Sequence, residues 1–360
     1  MDLKNLIGSE TVLKYADFLD ELDSGFKKQE FIKNLSKLSQ LELKARVLLI
    51  ATELEKHFPS TEEKSFHIIE QMITKLPATG FELWPVADYL GRYGHLYYSQ
   101  SLKLMSVLTE KMSCEFAIRP FLIKNPQKTY SYLLKMSKSA NVHQRRWASE
   151  GSRPRLPWGE KLPLAIQNPR AGMQILENLK KDPELYVRKS VTNHLNDISK
   201  DHPKLVIQIL KKWQKEKIPN FEFIRRQALR TLIKKGDAEA MKLMGFHIKT
   251  KVQVSGLRLV KDSIQMNQSL EFHFKILNSE KKPSLINIDY VIYFKNAKNG
   301  FSRKVFKLKA LLISSSNPAL IKKIHKVKPI TTRQFYAGEQ RLSILVNGIE
   351  TTKKKWNLSI

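Results

Sequence analysis

Apolar residues over roughly the first 250 positions recur at intervals of three and four, the period of helices that bury one face. Thr11–Leu22, Leu41–His57, Phe66–Lys75, Tyr98–Lys111, Glu184–Ser199 and Leu205–Glu216 read this way, with Leu43, Val47, Leu48 and Ala51 typical of the spacing. Pro59, Pro77, Pro126, Pro169, Pro183 and Pro203 interrupt the pattern. Proline lacks an amide donor and crowds the preceding turn, so these positions mark where helical hairpins reverse. After Lys249 the period shortens to two. Ser269–Ile276 sets Leu270, Phe272, Phe274 and Ile276 on one face, and Ile286–Phe294 does the same through Ile288, Tyr290 and Ile292. Val305–Leu312, Gln334–Tyr336, Leu342–Val346 and Trp356–Ile360 also read as strands, separated by Asn-Gly, Gly-Glu and Lys-Pro turn signals. The expectation is a mainly α protein of two domains. A helical-repeat solenoid covers residues 1–250, and a small all-β sandwich of immunoglobulin-like architecture covers 251–360. No Cys…Trp…Cys pattern supports a true antibody-type domain.

The later helices repeat. Arg146 opens Arg-Trp-Ala-Ser-Glu-Gly, Arg188 lies in Tyr186-Val-Arg-Lys-Ser-Val, and Arg225 lies in Phe223-Ile-Arg-Arg-Gln-Ala-Leu, at intervals of 42 and 37 residues. Periods near 40 residues with a basic residue in the second helix are those of HEAT-like units. Such units stack side by side and offer a continuous concave face to a rod-shaped ligand. An irregular helical domain is the plainer alternative.

Charge narrows the ligand. The 360 residues hold 63 Lys and Arg against 34 Asp and Glu, a formal net charge of +29. Residues 251–360 alone carry 21 basic and 6 acidic side chains, so both parts are cationic. Such a chain meets a polyanion, most often nucleic acid, with anionic membrane as the competitor. No stretch approaches about 18 uninterrupted apolar residues, so no membrane span is expected. The N-terminal ten residues show no secretory signal. A single cysteine, Cys114, cannot form an intrachain disulfide, in keeping with a cytoplasmic setting. With His143, His194 and His202 scattered, no metal-ligand spacing exists, and neither a phosphate-cradling glycine loop nor a dinucleotide fingerprint is present. No metal or cofactor is expected.

Against that basic background, a few acids and one aromatic stand out. The Glu184–Ser199 helix has an apolar face of Val187, Val191, Leu195 and Ile198, and an opposite face of Lys189, Asn193 and Asp197. If that face meets DNA, Asp197 is an anion aimed at a polyanion, which costs binding energy. An ion pair with Lys200 or a helix-end role is the plain reading of it. Glu115 precedes Arg119 by four residues and Glu150 follows Arg146 by four, both ordinary helix-pair spacings. Trp158 ends the loop Gly151-Ser-Arg-Pro-Arg-Leu-Pro-Trp, which also carries Arg153 and Arg155. The arginines suit phosphate and the ring suits a base or cation, unless the tryptophan simply pins the loop to the core.

Two of these segments carry a resemblance. Arg146-Trp-Ala-Ser-Glu-Gly-Ser-Arg-Pro-Arg-Leu-Pro-Trp-Gly and Val187-Arg-Lys-Ser-Val-Thr-Asn-His-Leu-Asn-Asp-Ile-Ser-Lys-Asp-His-Pro resemble the AlkC alkylpurine DNA glycosylases, relatives of AlkD. The likeness runs through the helical part and fits the subgroup with an immunoglobulin-like C-terminal domain. It implies a monomeric HEAT-like solenoid clasping duplex DNA, kinked rather than deeply base-flipped, with 3-methyladenine as the preferred lesion. By the same resemblance Asp197 is the catalytic aspartate, Glu150 and Glu115 are active-site acids, and Trp158 contacts the lesion. Arg146, Arg153, Arg155, Lys189 and Asn193 then hold DNA. A non-catalytic helical-repeat scaffold for distorted DNA is the alternative, as is a repeat protein that binds an acidic partner.

Overall fold

The structure is a computed structural model of the chain, and it describes residues 2–246, 248, 250–298, 300–314, 318–330 and 333–360. It divides into two compact units. The first holds Met1–Asp201 with Ile218–Ile224, and the second holds His202–Lys217 with Arg225–Ile360.

The first unit is a stack of helix pairs. Leu43–His57 packs on Trp84–Tyr93, which in turn packs on Arg119–Lys124. Glu63–Lys75 packs on Tyr98–Leu108, and Pro126–Met136 on Arg170–Leu179. Val142–Gly151 lies against Leu185–Ile198. Each helix buries the stripe its spacing predicts. In Leu185–Ile198, the residues Val187, Val191, Leu195 and Ile198 are essentially inaccessible. Pro126 stands at the first position of its helix, where the missing amide donor is one no intrahelical acceptor needs. No helix among the described residues is long and apolar enough to cross a membrane.

In the second unit, β1 (Val252–Leu259), β2 (Ser263–Gln265), β3 (Ser269–Asn278), β4 (Ser284–Lys295), β5 (Phe301–Ile313), β6 (Ala319–Lys326), β7 (Gly338–Val346) and β8 (Ile349–Ser359) form two sheets. One is ordered β1-β3-β6 and the other β2-β8-β7-β4-β5. All pairings are antiparallel except β2 with β8. Leu270, Phe272, Phe274 and Ile276 of β3 meet Ile288, Tyr290 and Ile292 of β4 in one apolar core, closed by Leu342, Ile344 and Trp356. This is the expected sandwich, with two differences in detail. Gln334–Tyr336 forms no strand, and β1, β2 and β6 fall outside the predicted strands. β6 buries only Ile321 while Leu320 and Ile324 fall on its exposed face, and β1 is broken by a register shift after Ser255, so apolar residues do not alternate cleanly in either.

One backbone contact in this unit makes a sharp prediction. Gly236 ends the Arg230–Lys235 helix at φ +76° and meets Gly348, at φ +82° in the β7–β8 turn. A Cβ built on Gly348 would lie 2.4 Å from the Gly236 Cα. Neither backbone can yield cheaply, so Gly348→Ala is expected to cost on the order of 3–4 kcal/mol. Gly256 also has positive φ, at +64°, but open space around it, so Gly256→Ala should cost only about 1 kcal/mol. Denaturant titration of the two variants measures the difference.

Candidate active site

The site is assembled where three stacked elements of the first unit come together. The Val142–Gly151 helix brings Arg146 and Glu150. It starts from Asn141, whose side chain accepts from the amides of His143 and Gln144. The neighbouring Leu185–Ile198 helix brings Tyr186 at one end and Asp197 at the other. The turn before Arg119–Lys124 brings Glu115 and Phe116.

Ser190 Oγ donates to Ser149 Oγ at 2.9 Å, and the His194 ring meets the Ser149 carbonyl at 3.0 Å, fixing the two helices in register. Complete burial pushes His194 down to about 4, so its imidazole is neutral.

The loop after Gly151 closes over this joint and is stapled from beneath by Arg119. That guanidinium is fully buried and donates to the carbonyls of Gly151 at 2.9 Å, Arg153 at 3.0 Å, and Glu160. Burial pulls Arg119 down to about 10.

Three carboxylates and three cations then alternate in one chain. Glu115 pairs with Arg146 and accepts from Ser113 Oγ at 2.8 Å. Arg146 also lies 3.7 Å from Glu150, which Arg153 holds at 2.5 Å. Arg153 Nε donates to Asp197 Oδ2 at 2.8 Å, and Lys200 Nζ donates to Asp197 Oδ1 at 2.7 Å.

Glu115 and Glu150 line a cleft of about 410 Å³ together with their partners Arg146 and Arg153, and Phe81, Trp84, Phe116, Trp158 and Tyr186 give it five aromatic side chains. Trp84 and Phe116 stack at 5.3 Å, and Arg146 lies 5.1 Å from the Tyr186 ring centre. Trp158 is 60 % exposed at the rim, with φ +65°, and Lys44 donates to its carbonyl. A non-glycine residue in the left-handed region is strained backbone, a state that concentrates at functional sites. The aromatic faces of this cleft suit a flat organic cation through the ring quadrupole, while its two acids are balanced by Arg146 and Arg153.

Several expectations meet this geometry differently. Glu115, Glu150, Trp158 and Asp197 come together, although Asp197 lies one layer behind the cleft at 1 % exposure. Its helix face does not stay open: Lys189 is exposed and Asn193 half-buried, but the Arg153 loop covers Asp197. Glu115 does not pair with Arg119. It sits in a turn rather than on a helix, and its partner comes from the next repeat. Arg146 and Arg153 are not free for phosphate, since both guanidiniums are committed to buried or half-buried acids. Arg155 forms a half-exposed pair with Asp201 at 2.8 Å and 2.9 Å. Trp158 does not pin its loop to the core; Arg119 does. Sequence reasoning misses Arg119 as staple and Phe81, Trp84, Phe116 and Tyr186 as wall. Phe81 lies in a 3-10 turn, Phe116 in the turn before Arg119–Lys124, and Trp84 and Tyr186 near the starts of separate helices, so no local spacing groups them.

The comparisons fit this architecture. Residues 253–360 match the domain family described as "Uncharacterised protein YhaZ, C-terminal Ig-like domain". Over 349 residues the chain is 34% identical to uncharacterized protein YhaZ of Bacillus subtilis, covering 96% of each. It is also similar to the solved structure of the Pseudomonas fluorescens alkylpurine DNA glycosylase AlkC bound to DNA containing an abasic site analog. That match has 31% identity, covers 100% of both chains and has a TM-score of 0.92.

Proposed function

The chain belongs to the AlkC-type family of helical-repeat proteins with an immunoglobulin-like C-terminal domain, and on that premise we propose that it is a DNA glycosylase releasing cationic alkylated purines, chiefly 3-methyladenine, from duplex DNA. The observation that carries this reading is the cleft itself. In a protein of net charge +29, Glu115 and Glu150 line a pocket rich in aromatic side chains, held there by Arg146 and Arg153, and Arg153 links Glu150 to the buried Asp197. Ion pairing alone gives these acids a structural use, and a reaction that generates cations gives them a chemical one as well.

Alkylation at a purine ring nitrogen makes the base a cation and a good leaving group without protonation. As the N-glycosidic bond breaks, the deoxyribose takes on oxocarbenium character. Fixed carboxylates near that carbon lower the barrier, because their charge is already oriented when the sugar cation appears. Asp197 takes that role and orients the attacking water. Glu150 and Glu115 hold the cationic base, and Trp158 offers it a π face. Arg155 and Lys189, both reaching solvent, contact flanking phosphates, which makes binding steeply salt-dependent.

The test is to incubate the protein with N-methylated duplex DNA and resolve the released bases chromatographically. Free 3-methyladenine should emerge well above spontaneous loss. Tight, salt-sensitive DNA binding with no base release above background would favour the scaffold and end the glycosylase reading.

A further inference from the structure

We propose that Lys200 is a latch on Asp197, and that a backbone phosphate of the bound duplex opens it. This rests on the glycosylase reading above and asks how a covered carboxylate is delivered to the reaction.

Both oxygens of Asp197 are occupied, one by Arg153 and one by Lys200, and the side chain is 1 % exposed. The two cations differ in their freedom to leave. Arg153 is 5 % exposed, its Nη1 holds Glu150, and its own carbonyl is held by the buried Arg119. Releasing it would take a bonded cation from two buried carboxylates at once. The Lys200 side chain is 35 % exposed, lies just past the end of the Leu185–Ile198 helix, and makes one bond, to Asp197 Oδ1. A lysine ammonium is a compact point charge on a flexible stem, so it exchanges one anion for another with little geometric demand. A phosphate arriving at the exposed side supplies that second anion. The neighbouring Arg155–Asp201 pair is half-exposed too, so this edge of the unit reaches solvent.

The consequence follows from the charge sequence. With Lys200 in place, Glu115, Arg146, Glu150, Arg153, Asp197 and Lys200 sum to zero, so the acids do not repel an approaching polyanion. Once Lys200 turns to the phosphate, the remaining five carry one net negative charge, centred on Asp197. The site becomes anionic only after the duplex is seated, when a cationic sugar is about to form. The anion aimed at a polyanion, costly if bare, is thereby covered until it is needed.

A scan of duplexes carrying one N-methylpurine and a single neutral methylphosphonate, moved along the flanking phosphates, tests this. For the unaltered protein, one position should slow single-turnover base release by about tenfold while changing the dissociation constant much less. In Lys200→Gln the same methylphosphonate should have no further effect, and the slope of log affinity against log salt should fall by about 1. Lys200→Arg should retain the sensitivity. An equal methylphosphonate penalty in Lys200→Gln and the unaltered protein would overturn the latch and leave the glycosylase reading standing. So would a scan in which every position changes binding alone, a result that needs no variant and survives any folding defect in one. No base release from any duplex by the unaltered protein would overturn both.

Discussion

Asp197→Asn is expected to release 3-methyladenine on the order of 10²–10³-fold more slowly than the unaltered protein, with DNA binding unchanged or tighter. The carboxamide keeps the shape and retains an acceptor for Arg153 or Lys200, but it removes the negative charge that would meet the sugar cation. Binding should not suffer, because an anion has been removed from a DNA-binding unit. Asparagine leaves one of the two cations at 2.7 Å and 2.8 Å without a charged partner, so folding must be checked alongside. A thermal melt and a binding titration on the same preparation separate the two effects. A single-turnover rate within about threefold of the unaltered protein, in a folded variant, removes Asp197 from the chemistry and returns it to the structural role its ion pairs also support.

Arg153→Met carries the second large effect, on stability as much as on activity. Arg153 bridges Glu150 and Asp197 from a position that is 5 % exposed. Removing one member of a buried ion cluster leaves charge uncompensated, at a cost of about 3–5 kcal/mol. For a unit of this size that is a fall in melting temperature on the order of 10 °C. Burial raises the cost of Arg153's charge, but Glu150 and Asp197 more than offset it and hold its affinity for the proton above the ordinary value. Glycosylase activity should be lost with it even below the melting transition, since both acids lose their orientation. The double variant Arg153→Met with Asp197→Asn should be less unstable than the sum of the singles, because the second change removes the charge the first one stranded. Strict additivity by calorimetry would show that the cluster is not coupled as its geometry requires.

Much of this fold is legible along the chain. Spacings of three and four, proline breaks and the recurrence of Arg146, Arg188 and Arg225 point to stacked helices, because burying one face of each helix forces that period. Alternation points to β3, β4 and β7 for the same reason in a sheet. It fails at β6, where a lysine-rich edge buries only Ile321, and at Gln334–Tyr336, where three apt residues find no partner strand. The residue types of the site are legible too, since acids and a loop tryptophan are conspicuous in so basic a chain.

The partners are not. Glu115 and Arg146 are 31 residues apart, and Arg153 and Asp197 are 44 apart. Local helix rules offer Arg119 for Glu115, yet Arg119 turns inward to hold three carbonyls. A cationic, two-part chain of helical repeats and strands, with acids where a polyanion binder would avoid them, can be read from residue order alone. Periodicity and net charge are properties of nearby residues or of simple sums, and both are readable along a line. That those acids are covered and paired emerges in the folded chain alone. Ion pairing acts over a few ångströms of space, and the stacking of one repeat on the next sets which distant charges share that space.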